Sequence, residues 1–312
     1  MFLKHLINPK PSIILFFIVF CLIFSLLPLI KFEMNIAFHH NYFHPIIVVL
    51  AGVALPFFIS TGLNNIIYEK NIIKKDNLVV GCIFILINTP FINTIEAWAS
   101  AFLLLFAFNF LLKTYQKDLP FSQFYNASII LGSLTFIYPN MIFLTLILII
   151  NGINYSNLHW RVLLTILLGL ATPYLFYFFI LFIIDRSFSI PEFFTFSKID
   201  FPTIQEMHLS KIIWLGTLIL TTVFSFFEIF IWLYKKSIKS RRSFMTIIWF
   251  FIVSVLMANY FGWEYFYFSL LPLSIIIGNY FVYTKKRKLA SILFSLLIIS
   301  SCYYKYMIGF NV

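Results

Sequence analysis

Apolar residues run along this chain in long unbroken stretches, and polar residues gather in short intervals between them. A helix that crosses a bilayer needs about 20 mostly apolar residues, within a range of about 17–25. The runs 13–30, 45–67, 95–112, 161–184, 212–234, 243–261 and 264–283 meet that requirement. Shorter apolar runs occupy 78–92, 124–138, 139–153 and 289–304. The pair 124–138 and 139–153 breaks at Tyr138-Pro139-Asn140, a turn signal. It reads either as a two-span hairpin or as a re-entrant pair. No period-two alternation accompanies the runs, so helices rather than a closed barrel must satisfy the backbone within a bilayer. The pattern predicts an all-α, polytopic transmembrane bundle of about eleven spans. It forms a single integral membrane domain over 1–312 with no soluble domain, and its longest external loop is 185–211.

Composition agrees with the pattern. The chain is 62% hydrophobic and 11% charged, with a mean hydropathy of +0.97, whereas soluble domains carry about 25% charged residues. The net charge of +11 does not point to nucleic acid, because the basic residues sit in short clusters between apolar runs. There they set orientation. With the N-terminus in the cytoplasm, only Lys31, Arg186, Lys198, Lys211 and Lys305 of the 22 Lys and Arg fall outside, as the positive-inside rule demands. The C-terminus is then external and the location is the cytoplasmic (inner) membrane. Clusters such as Lys285-Lys286-Arg287-Lys288 act as topology signals and contact anionic lipid. Trp98, Trp160, Trp214, Trp232 and Trp263 fall near the ends of the expected spans, as an aromatic belt requires. Lys4 and Lys10 before the run 13–30 mimic a signal peptide. No small-residue cleavage site follows, so an uncleaved first span is expected.

Chemistry-bearing residues are few. Cys21, Cys82 and Cys302 lie in or beside separate apolar runs without CxxC spacing, and read as small apolar residues. Glu228 is the one acid well inside a span, and Thr217, Thr221, Ser225 and Glu228 share a helical face by their spacings. An ionisable group there is costly and faces the bundle or a cavity. It fits a substrate, proton or ion site, a hydrogen-bonded carboxyl fixing helix packing beside ordinary Ser and Thr contacts, or a snorkelling side chain. Glu96 closes a capping-box pattern from Asn93 and could also contact a headgroup. His39, His40 and His44 crowd the first external loop beside Glu33. That cluster reads as interfacial, since Pro45 works against the i, i+4 spacing a metal would use. Glu33 could act as a general base. Asp185 ends a span beside Arg186 in the most acid-rich external segment, and is either a boundary marker or a catalytic carboxylate. No metal or cofactor is expected, and no Walker motif, glycine-rich phosphate loop or internal repeat occurs.

Four stretches carry a resemblance. They are Leu63 to Asn77, Thr89-Pro-Phe-Ile-Asn through Leu112, Gly132 to Asn140, and Glu264 to Tyr280. Together they are similar to an uncharacterised family of polytopic inner-membrane proteins, about 300 residues long, typical of Bacteroidota, which supplies no catalytic residues. The order of features also looks like the membrane half of polyprenyl-phosphate-dependent glycosyltransferases of the GT-C type. The first external loop is shorter here and holds one acid, Glu33, and no periplasmic domain follows the last expected span. Membrane carotenoid-cleaving oxygenases are disfavoured, because no span interior holds a histidine.

These observations give three functional expectations. The first is an envelope-biogenesis protein that binds or processes a lipid-linked substrate, a glycolipid or polyprenyl phosphate, from the outer face. Glu33 and Asp185 are then the catalytic candidates, and Glu228, Ser225, Thr221 and Glu96 the binding candidates. The second is a non-enzymatic subunit or scaffold with a membrane-protein partner. The third is a proton-coupled transporter built around Glu228.

Overall fold

The computed structural model describes residues 2–31, 45–88, 94–187 and 209–308. In chain order the helices are α1 (Phe2–His5), α2 (Pro11–Lys31), α3 (Pro45–Glu69), α4 (Val79–Asn88), α5 (Ile95–Leu112) and α6 (Phe121–Leu134). A 3-10 turn over Pro139–Leu144 leads into α7 (Thr145–Asn154), followed by α8 (Trp160–Ile183), α9 (Leu209–Leu233) and α10 (Ile238–Phe261). A second 3-10 segment, Trp263–Ser269, leads into α11 (Leu270–Tyr283), and α12 (Arg287–Ile308) follows.

Among the described residues seven helices are long and apolar enough to cross a membrane: Ile46–Glu69, Ile95–Leu112, Trp160–Ile183, Leu209–Leu233, Ile238–Phe261, Glu264–Tyr283 and Arg287–Lys305. Pro11–Leu26, Val79–Asn88 and Pro139–Asn154 are shorter apolar helices. The expected run 124–138 is realised as the 14-residue α6. The expected break at Tyr138-Pro139 holds: Tyr138 is extended and Pro139 opens the 3-10 turn.

Two compact units divide the chain. Unit 1 comprises Met1–Ala99, Asp200–Ser240 and Leu270–Val312, and unit 2 comprises Ser100–Ile199 and Arg241–Ser269. Unit 1 is built around α4 and α11. All ten residues of α4 are buried, and so is α11 from Leu270 to Val282. A helix apolar on every side belongs in such an interior position. The two approach closely because Gly278 offers no Cβ where Val80 sits, while a Cβ on Gly81 would lie 2.7 Å from the Ser60 carbonyl of α3. The Gly81 amide, in the first turn of α4, donates to Asn64 Oδ1 at 2.9 Å. One end of this unit is pinned by backbone bonds. Asn8 N donates to Asp76 O and Leu78 N to Leu6 O, so the N-terminal segment pairs with the loop before α4.

Unit 2 depends on small residues in the same way. Ser128 and Gly132, one turn apart on α6, meet Gly169 and Pro173 on α8. Without a hydrophobic drive between helices in lipid, such close backbone approach supplies the packing energy. Tyr125 Oη bonds Thr172 Oγ1 at 3.1 Å, and Thr135 Oγ1 bonds Tyr174 Oη. Much of the remaining surface of α8 is exposed and apolar, including Leu167, Phe176, Phe179 and Phe182, as a lipid-facing helix would be. At the far end of α7 a buried polar clasp joins three elements. Asn151 Nδ2 donates to Leu111 O and Thr114 Oγ1, and Thr246 Oγ1 donates to Asn151 Oδ1. Asn154 Nδ2 donates to Arg242 O, and Tyr155 Oη bonds Ser243 Oγ. Asn151 is fully buried and uses both ends of its amide, which is how a polar group there avoids its desolvation cost.

Two glycines test this account. A Cβ on Gly169 would overlap Ser128 and crowd the Tyr125 carbonyl, whereas one on Gly216 would meet nothing within 4 Å. Gly169→Ala is expected to destabilise the protein by about 1–3 kcal/mol through overpacking. Gly216→Ala should raise stability by up to about 1 kcal/mol through helix propensity. Thermal unfolding of the detergent-solubilised variants measures both; equal effects would refute the close-packing account.

Candidate functional site

The sequence-expected residues fall in separate places. Glu33 lies outside the described residues, as do His39, His40 and His44. Asp185 ends α8 at φ 56°, with Arg186 N donating to Leu181 O and Asp185 N to Phe182 O. This is a Schellman termination in which Asp holds the left-handed position usually given to Gly. Asp185 is exposed, so its carboxylate is free to meet a solute while its backbone closes the helix.

Glu96 is half-buried in the first turn of α5. The capping residue is one position later than the sequence pattern implies. Thr94 Oγ1 accepts from Ala97 N at 3.3 Å, and Thr94 O accepts from Trp98 N. Glu96 therefore sits at the second helical position rather than the third, too early for the reciprocal bond of a capping box. It interacts with the positive end of the helix dipole instead.

Thr217, Thr221, Ser225 and Glu228 share α9, and the face they mark is turned toward the interior of unit 1. Thr221 and Ser225 are fully buried and return their hydroxyls to Leu218 O and Thr221 O of their own helix. Thr217 Oγ1 bonds Ser300 Oγ of α12 at 2.7 Å. Trp214 Nε1 donates to Ser301 Oγ at 3.2 Å and its ring stacks on Tyr304. Trp98, Trp214 and Trp232 are buried, whereas Trp160 and Trp249 are exposed. Glu228 flanks the buried stripe, half-buried and within electrostatic reach of Tyr280 on α11.

The most unusual group is one that the apolar pattern places in an external segment. Lys305 lies inside α12, is 6% exposed, and belongs to unit 1. Its ammonium is 3.4 Å from Phe24 O on α2 and 3.4 Å from Ile85 O on α4. It also stands 4.4 Å from the centroid of the Phe24 ring, a favourable cation–π position. Each carbonyl is open to the ammonium for a local reason. Phe24 would normally bond the amide four residues on, but residue 28 is proline and has no N–H. Ile85 lies in the last turn of α4, where carbonyls lack intrahelical partners. A lysine from a third helix fills both vacancies.

Among the described residues no carboxylate forms an ion pair with this cation. The ion pair among the described residues is Lys70–Glu69, far from Lys305 in the fold of unit 1. Cys21 and Cys302 are within electrostatic reach of the ammonium, and Cys21 Sγ contacts Ser60 Oγ at 3.8 Å. Cys302 precedes Lys305 by three residues, so both share a face of α12, and Cys302 is exposed. The surface of unit 1 therefore lies one helical turn from the buried charge. Among the described residues no group of three His, Cys, Asp or Glu side chains could hold a metal ion. The one sequence clue to Lys305 was the pairing of a lone late lysine with a proline inside the first apolar run.

The fold and this site define an all-α protein of apolar, membrane-type helices with one buried cation among the described residues. The chain belongs to a family of unknown function, DUF6427, whose family model matches residues 1–310. No curated protein and no solved structure matches it.

The carbonyl-filling role of Lys305 predicts energetic coupling to Pro28. Pro28→Ala supplies the amide that Phe24 lacks, so it should stabilise a Lys305→Met background more than the parent. A coupling of about 1 kcal/mol is expected from one such bond. A double-mutant cycle by thermal unfolding measures it, and strict additivity would show that the two positions do not communicate.

Proposed function

We propose that this chain is a multi-pass protein of the cytoplasmic membrane that takes part in envelope biogenesis and binds a lipid-linked substrate bearing a phosphate. The observation that carries this is the buried Lys305 ammonium, held by two backbone carbonyls and an aromatic ring, with no ion-pair partner among the described residues. A cation in an apolar interior is a functional feature by default. Its chemistry suits a phosphodiester or pyrophosphate whose lipid tail stays in the bilayer.

Orientation follows from the charges. The N-terminal segment, the loop before α4 and the α11–α12 junction gather at one end of unit 1. Ordered backbone bonds and the cavity lined by Lys4, Asn8 and Arg287 support that grouping. On the positive-inside rule that end is cytoplasmic, which puts the eleven apolar segments in an N-terminus-inside order and Lys305 toward the outer leaflet. A polyprenyl-phosphate or glycolipid would then approach past Cys302. Glu33 and Asp185, external in this orientation, remain the candidate carboxylates for processing a lipid-linked substrate.

Native mass spectrometry of gently extracted protein tests the reading. The parent is expected to carry a polyprenyl-phosphate or glycolipid adduct that Lys305→Met loses and Lys305→Arg keeps. Glu33→Gln and Asp185→Asn should keep the adduct while abolishing function in cells. A stoichiometric protein partner with no lipid adduct would instead establish the scaffold reading.

A further inference from the structure

The basic end of unit 1 contains a second cationic arrangement, built very differently from Lys305. The loop between α3 and α4 is held by bonds from three other elements. Ser240 Oγ donates to Ile72 O at 3.1 Å, Lys74 N donates to Tyr283 Oη at 2.9 Å, and Asn8 N donates to Asp76 O at 2.8 Å. Asn77 Nδ2 closes the turn on Lys75 O. Lys74 and Lys75 are exposed, but the backbone that carries them is fixed.

Tyr283 at the end of α11 is the hub. Its hydroxyl takes the Lys74 amide, and its ring lies 5.4 Å from Lys75 Nζ and 4.1 Å from Lys236 Nζ. Trp232, one turn before Lys236, places its ring 5.1 Å from the same ammonium and 5.4 Å from the Tyr283 ring. The aromatic pair thus steers Lys236 toward two other lysines instead of letting it spread into solvent. Burial, followed by repulsion from Lys74 and Lys75, lowers the Lys236 pKa. Among the described residues no carboxylate forms an ion pair with these three lysines. Asp76, next in sequence, faces a separate groove with Asn64, Asn65 and Tyr68, and Glu69 pairs with Lys70.

We infer that Lys74, Lys75 and Lys236, arrayed around Tyr283, form a binding site for one phosphate group, supplied by the headgroup of an anionic phospholipid. Three ammonium groups held together against their mutual repulsion lower their energy when one anion bridges them. The site stands at the mouths of α3, α4, α9 and α11, where those helices leave their apolar stretches. That is the depth of a headgroup, and basic side chains there attract anionic lipid. The inference is independent of Lys305, which lies at the other end of the same unit.

The test is native mass spectrometry of the full chain from micelles containing phosphatidylglycerol or phosphatidylcholine. One phosphatidylglycerol should remain bound to the parent, with no matching phosphatidylcholine. The triple variant Lys74→Gln, Lys75→Gln, Lys236→Gln should weaken that adduct about a hundredfold, the attraction of three basic residues. The control triple Lys285→Gln, Lys286→Gln, Lys288→Gln removes the same charge from the same end and should leave it intact. If the first triple does not fold, Lys75→Gln alone should weaken the adduct about fivefold. Thermal stabilisation by inorganic phosphate, abolished in the first triple and without a lipid adduct, would assign the site to a soluble phosphate. Equal loss from both triples, or binding of neither ligand by the parent, overturns the inference.

Discussion

A carbonyl or amide that meets no water must find its partner within the protein, and that constraint organises this chain at every scale. Buried Ser and Thr hydroxyls return to carbonyls of their own helices, as at Thr114, Thr221, Ser225, Ser254 and Ser274. Where a helix is short or interrupted, the partner comes from elsewhere. The orphaned Phe24 carbonyl draws an ammonium from α12, and the end of α5 draws the amide of Asn151. These bonds hold helices whose apolar surfaces alone would give lipid no reason to release them.

The same constraint explains why small residues carry the packing. Ser128 and Gly132 on α6, Gly169 on α8, and Gly278 on α11 let backbones approach until side chains interlock. The helices that achieve this on all sides, α4 and α11, are core elements. The one that achieves it on a single stripe, α8, keeps a broad apolar surface. A short helix such as α4, with ten residues, can therefore sit deeper than longer neighbours.

The helical character, the apolar segments and the break at Tyr138-Pro139 were legible in the sequence, because each depends on local runs or one turn signal. The polar partnerships were not. Asn151 meets Thr246 across 95 positions, and Lys305 meets Phe24 across 281; no periodicity encodes either. The capping position at α5 shifted by one because Asn93 and Thr94 are both competent caps, and only the backbone geometry chooses. The Thr217 to Glu228 stripe was legible as a face. That it packs against α12 through Thr217, leaving Glu228 at its margin, depended on the tertiary arrangement.

Magnitudes limit what Lys305 contributes to the fold. Removing an ammonium from water costs several kcal/mol even after relaxation. Bonds from a charged donor return about 1.5–3 kcal/mol each when well formed, and the two here are long at 3.4 Å. The Phe24 ring adds about 0.5–2 kcal/mol. The terms nearly cancel, so an apolar side chain of similar volume would hold the helices about as well. What the lysine adds over such a residue is attraction for an anion. That attraction is strongest where the dielectric is low, one helical turn from an exposed surface and with no ion-pair partner among the described residues. On the proposed reading, a group that gives the fold so little and attracts an anion so strongly serves binding, and its apolar surroundings favour an anion attached to a lipid.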